Sequence, residues 1–264
     1  MRYIKTFNTH SQYETYKNSA EYTKPNVSFC IDNNDVHYNY NDPRLIAKYN
    51  VTSTSSETNI MYRYSPVPSQ FSEIEIDGVV QPSVIARYQF TTTGEHTVKY
   101  TLADATTILD NTFYGCGITN ISIPNSVETI GATVFASTKL TNIKIPNNVT
   151  SIGGSSFQDC TGLTTVDIPN SITSIPYGLF YGCSGLTNIT LPNTIASIME
   201  HAFNTCTNLT SITILATTPP TLANTNAFMG TNNCPIYVPS ASVSAYQTAT
   251  NWSSLASRIQ AIPS

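Results

Sequence analysis

A chain of 264 residues is long enough to bury a sizeable core and, by length alone, could hold one domain or two. With only 11% charged residues and a net charge of −4, it lacks the clustered Lys and Arg that bind nucleic-acid phosphates, so no nucleic-acid partner is expected. No apolar run approaches the roughly 20 residues that cross a bilayer, so membrane insertion is not expected either.

The opening "MRYIKTFNTHSQYETYKNSAEY" carries Arg2 and Lys5 but no apolar stretch of signal-peptide length and no small-residue cleavage site, which leaves the export route undefined. Polar residues from Ser11 to Asn18 allow a helix. Val27, Phe29 and Ile31 then lead into the turn Asp32-Asn33-Asn34-Asp35, and Val36 and Tyr38 return from it, the pattern of a β-hairpin. A calcium loop fails here, because His37 stands at the required glycine and Pro43 at the terminal glutamate. Residues 1–50 are therefore expected to form a small separate module for anchoring or assembly. Residues 51–70, rich in Ser, Thr and Pro, are expected to be a linker.

Residues 71–103 show period-2 patches at Ile74 and Ile76, Tyr88 and Phe90, and Val98 and Tyr100, separated by turn chemistry at Asp77-Gly78 and Thr93-Gly94. They predict a β-rich N-terminal cap over the first unit of the adjoining segment. Glu73 and Glu75 share one face of a strand there, with no pocket implied.

Residues 104–233 repeat. "LTNIKIPNNVTSIGGSSFQDCTG" (140–162), "LTTVDIPNSITSIPYGLFYGCSG" (163–185) and "LTNITLPNTIASIMEHAFNTCTN" (186–208) step by 23 residues, a period that belongs to coiled repeat architectures. A 22-residue copy at 118–139 carries Phe135, with Thr138 at the cysteine position. A degenerate one ends at Phe113 and Cys116, and the last copy departs at "ATTPPTL" and ends near Phe228. Leu, Ile and Ile at positions 1, 4 and 6 match the LxxLxL core of a leucine-rich repeat, and the following proline stops the strand because it lacks the next ladder donor. Phe157 and Cys160, three apart, fit a turn of helix or 3₁₀ helix pointing inward. Such a unit cannot bury its apolar edge alone, so the units stack into a solenoid of short parallel strands.

The six cysteines are Cys30, Cys116, Cys160, Cys183, Cys206 and Cys234, and none forms a CxxC pair. Stacking turns those of the repeats into a column. A ladder of reduced core thiols is the favoured reading, ahead of disulfides between coils, which need specific geometry at every step. At the end of the chain, residues 234–264, Ile236 and Val238 supply a last strand that Pro239 ends. Ser240 is expected to cap a helix bearing Val243 and Tyr246, with Trp252, Leu255 and Ile259 closing the open end.

The strand, the proline, the "SI" step and the Phe-x-x-Cys tail recur in register, and "IPNNVTSIGGSSFQDCTGLTTVDIP" resembles the BspA-like leucine-rich repeats of gut and oral bacteria, their phages and some mucosal protozoa. The resemblance spans residues 98–262, including the C-terminal cap. It implies adhesion or binding at a surface and supplies no catalytic residue.

His10, His37, His96 and His201 are scattered, and no GxSxG, P-loop or HExxH occurs, so no enzyme, cofactor or metal site is expected. Outward strand positions form two columns instead: Asn120, Asn142, Thr165, Asn188 and Ser211, and Ser122, Lys144, Asp167, Thr190 and Thr213. These small polar side chains suit hydrogen bonding to a host or bacterial surface protein or glycan, and equally suit a solvated sheet. The expected role is a non-enzymatic binding or adhesion protein at a cell surface or, lacking a signal peptide, on a phage virion as fibre or decoration, with the N-terminal module attaching it to the virion or to its own assembly. The alternatives are a structural spacer and a bacterial cell-surface adhesin.

Overall fold

Alternation decides the first element. In β1 (Arg44–Val51) Leu45, Ala47, Tyr49 and Val51 are buried, while the residues between them are half-buried or exposed. The computed structural model describes residues 44–62 and 67–263. β1 is followed by β2 (Thr58–Asn59), β3 (Phe71–Ile76), β4 (Val79–Val80), β5 (Arg87–Tyr88) and β6 (Gly94–Leu102). β3 and β4 form a hairpin whose turn residues Asp77 and Gly78 have φ of 47° and 86°, the geometry that suits strand twist. β6 lies antiparallel between β3 and β1, while β2 and β5 pair separately.

The chain then coils through β7 (Thr107–Ile108), β8 (Ile118–Ser122), β9 (Thr129–Ile130), β10 (Asn142–Lys144), β11 (Ser151–Ile152), β12 (Thr165–Asp167), β13 (Ser174–Ile175), β14 (Asn188–Leu191), β15 (Ser197–Ile198), β16 (Ser211–Ile214) and β17 (Thr221–Leu222). From β8 to β17, even-numbered strands form one face and odd-numbered ones the return side. Pairing is parallel and one repeat apart, as in Asn188↔Ser211, so equivalent residues stack. The phenylalanines form a continuous column: Phe113, Phe135, Phe157, Phe180, Phe203 and Phe228 follow one another at 5.5–5.7 Å with nearly parallel rings. Each coil takes the name of its phenylalanine.

The expected helical turn after the return strand is instead a run of turns. Cys160 N–H donates to Phe157 O in an i→i+3 bond, but Ser155 and Asp159 have φ of 57° and 55°, which breaks any helix. Those left-handed residues turn alternate amides toward the next coil, where Ser155, Phe157 and Asp159 N–H donate to Tyr177, Leu179 and Tyr181 O.

Pro176 leaves a visible mark on the return ladder. The residue after the return-strand isoleucine or leucine donates to the previous coil at Gly131, Gly153, Met199 and Ala223. Proline has no N–H for that bond, and β11 and β13 fall into separate sheets there.

Two amide side chains close the ends of this ladder. Leu109 N–H, with no preceding coil, donates to Gln70 Oε1 at 3.0 Å, and Gln70 Nε2 donates to Thr112 Oγ1 at 2.8 Å. Asn251 Nδ2 donates to Leu222 O and Ala223 O at the other end. Trp252 packs on Phe228 at 5.7 Å and donates through Nε1 to Pro220 O, and Tyr246 OH donates to Ala216 O.

Three boundaries differ from those drawn on the sequence. Residues 44–50, assigned to a separate module, supply β1, which joins β6 to β8. The segment 51–70 is no free linker: Ile60 and Met61 are buried, and Tyr49 and Tyr100 hydroxyls both donate to Ile60 O. β18 (Ile236–Val238) is not the last strand, since β19 (Ile259–Ala261) pairs parallel with it, and Ser240 makes no capping bond before α1 (Val243–Thr248). The expected helix at 11–18, the hairpin at 27–38 and Cys30 lie outside the described residues.

Candidate binding face

The strand pleat sends every second residue outward. Of the ten outward positions, Asn142, Lys144, Thr165, Asp167, Asn188 and Thr190 are exposed on β10, β12 and β14, and Ser211 and Thr213 are half-buried on β16. Two are withdrawn from this face. Ser122 is 6% exposed and Asn120 is half-buried, because β1 pairs on β8 and sets Ile46 opposite Ser122 and Lys48 opposite Asn120. Asn120 Nδ2 donates to Asn142 Oδ1 at 3.3 Å, while Asn120 Oδ1 is buried without a partner.

The face changes character at β1. Arg44 and Lys99 both bond Glu75, and Lys48 bonds Glu95 at 2.8 Å, so the N-terminal sheet carries paired charges where the repeat face carries mostly neutral polar groups, with Lys144 and Asp167 as its charges.

Among the described repeat strands of this face, β8 and β10 belong to separate sheets, as do β12 and β14, but only the second pair also lacks the threonine bond that links the coils. Thr141 donates to Thr119 O, Thr164 to Thr141 O and Thr210 to Thr187 O, but the series lacks its Thr187-to-Thr164 member, and β12 and β14 belong to separate sheets. Val166 is half-buried there, whereas its counterparts Ile143 and Ile189 are 3% and 2% exposed. A depression of about 340 Å³ opens at the break, with Thr165 and Asp167 on one side and Asn188, Thr190, Pro192 and Leu215 on the other. A second depression, of about 400 Å³, lies at the C-terminal end beside Arg258. The guanidinium there is committed to Cys234 O at 2.9 Å and Thr231 Oγ1 at 2.8 Å.

The repeat cysteines face the core. Cys116, Cys160, Cys183, Cys206 and Cys234 are free and buried. Cys160, Cys183 and Cys206 thiols donate to Phe135, Phe157 and Phe180 O of the preceding coil, each at 3.0 Å. Burial pushes the thiols of Cys116 and Cys206 up to about 12 and that of Cys160 to about 11, which suppresses the nucleophilic thiolate.

His201 stacks edge-on to Tyr177 at 5.5 Å and bonds Asn204, on the outer turns and away from the strand face. His96 is the residue that pattern reading passes over. Its Nδ1 meets Asp77 Oδ2 at 2.6 Å and its Nε2 meets Thr92 O at 2.9 Å; both partners are acceptors, an arrangement that the protonated ring, with two N–H donors, satisfies in full. Phe90 lies over that ring at 4.3 Å, and Asp77 Oδ1 accepts from Thr97 N–H, so the group pins the β3–β4 turn. Among the described residues no group of three or more His, Cys, Asp or Glu is placed to hold a metal, and no helix is long and apolar enough to cross a membrane.

Comparison with known proteins adds the family. A leucine-rich cell surface protein of Faecalibacterium prausnitzii is 27% identical with a TM-score of 0.41, over 53% of this chain and 35% of that one. A leucine-rich repeat protein of Eubacterium ventriosum is 31% identical with a TM-score of 0.41, over 57% and 38%. One from Bacteroides ovatus is 23% identical with a TM-score of 0.36, over 51% and 47%. The chain thus spans about a third to a half of the solved structures it matches. No curated protein matches it. The family model described as "BspA type Leucine rich repeat region" matches six copies over residues 106–239, which contain the stacked phenylalanines, the buried thiols and the exposed strand face. The chain belongs to the BspA-type leucine-rich repeat family.

Proposed function

We propose that this chain is a non-enzymatic binding protein, displayed on a cell surface or virion, that presents the strand face of its repeats to a protein or glycan of a host or bacterial surface. The observation that carries this reading is the row of exposed Asn142, Lys144, Thr165, Asp167, Asn188 and Thr190 across three successive strands, held in fixed register by the core behind it. Their side chains lie outside the core, and a stack of parallel strands holds them with little loss of entropy on binding. Membership of the BspA-type family supports a binding role over a catalytic one. In this reading the residues before β1 attach the chain to its carrier.

The test is retention of host and bacterial cells, and of protein and glycan arrays, by the full chain immobilised at high density, since linked copies turn weak contacts into avid ones. Replacing all six exposed residues by alanine should abolish retention without lowering Tm. Retention that survives the six-fold change would make the repeats a spacer.

A further inference from the structure

We infer that the break between β12 and β14 is a binding site for a neutral saccharide, an inference that rests on the strand face being the binding surface. Four observations converge on this place. The Thr-to-Thr ladder that ties the other strands of the face together fails at Thr187, so the Phe180 and Phe203 coils part on this side while their phenylalanine column stays closed at 5.5 Å. Unlike the break at Pro176, this one has no proline behind it; both strands carry amides able to pair. The resulting depression, about 340 Å³, falls at the lower end of the roughly 300–1,000 Å³ typical of small-ligand sites.

The lining chemistry selects the ligand. Thr165, Asp167, Asn188 and Thr190 present hydroxyl, carboxylate and amide groups, a set that both accepts from and donates to neighbouring hydroxyls. Asp167 is the one charged residue of the lining, which disfavours phosphate, sulfate and carboxylate ligands. Beyond Asn188 and Thr190 that side ends in an apolar residue that departs from the repeat. Leu215 stands where Pro146, Pro169 and Pro192 end the earlier strands, and it is 41% exposed, so the leucine serves no core. Its side chain offers a small apolar shelf beside the buried Pro192. A pyranose ring has the matching composition, with hydroxyls around its edge and a C–H face to lay on Leu215. A peptide laid along the face would instead engage several coils and gain nothing from a gap confined to two.

The experiment titrates the ¹⁵N-labelled full chain with galactose, N-acetylglucosamine and lactose at millimolar concentrations, followed by amide shifts. At least one sugar should shift amides of residues 164–170 and 187–192 selectively. Asp167→Ala should weaken that binding about tenfold or more, and Leu215→Ser several-fold, both with unchanged Tm because both side chains are exposed. Thr150→Ala, beside the return strand β11 and bonded only to Glu128 O, should leave it unchanged. No shift with any of the three sugars, shifts spread over all coils, or binding untouched by Asp167→Ala would overturn the inference. If cell retention depends on the strand face but is neither competed by these sugars nor weakened by Leu215→Ser, the binding role stands and the saccharide site does not.

Discussion

Truncating one ring of the phenylalanine column tests the architecture most directly. Phe180 is fully buried and stacked between Phe157 at 5.6 Å and Phe203 at 5.5 Å, so Phe180→Ala strips packing from both interfaces of its coil. Lost transfer free energy plus the cavity left in a stack that cannot collapse sideways should cost about 3–5 kcal/mol. Phe180→Leu keeps most of the volume and gives up two ring contacts, for a cost of about 1–3 kcal/mol. Thr190→Ala, on the exposed face, should cost under about 0.5 kcal/mol. Urea unfolding of the full chain, with the midpoint and slope fitted together, gives all three. A fall in slope for Phe180→Ala alone would mean that the two halves of the stack unfold separately, as nearest-neighbour coupling allows. Should Phe180→Ala cost no more than Thr190→Ala, the column does not hold the coils together and the inward and outward assignments are wrong.

The thiols of Cys116, Cys160, Cys183 and Cys206 should resist a thiol reagent in the native protein and react on denaturation; rapid native labelling would contradict their burial. For His96, burial opposes the charge but the bonds to Asp77 and Thr92, with the Asp77 charge, outweigh it and raise the pKa above 6.5. Its stabilisation is therefore complete below pH 6.5 and is lost as pH rises through the raised folded value. The Tm advantage of the native chain over His96→Gln should shrink across that window, and a constant difference would remove the imidazolium. Gly153→Ala places a methyl 2.4 Å from Ala132 N and should cost about 1–3 kcal/mol or more, whereas Gly117→Ala meets nothing within 4 Å and should be nearly silent by thermal melting.

Some of this was written in the repeat itself. Because the units differ by a fixed 23 residues, each burial decision is made several times over, and Leu163, Phe180 and Cys183 could be read as inward from Leu186, Phe203 and Cys206. The effect of Pro176 was legible too, since a missing N–H is a property of the residue wherever the chain takes it. β1 was harder to see. "RLIAKYNV" alternates plainly, but its partners Thr97 and Asn120 lie about 50 and 70 residues away, and nothing local says that this strand will fill the edge beside β8 and cover Ser122.

Periodicity therefore determined the coil, its inward residues and its family, because those depend on each residue's neighbours one repeat away. Tertiary structure alone decided which exposed positions remain exposed and where the face opens. "LTTVDIP" and "LTNITLP" are equally good strands by composition, yet β12 and β14 do not pair. Ladder closure depends on the separation of two whole coils, set jointly by everything packed between them, and no single stretch of sequence carries that sum.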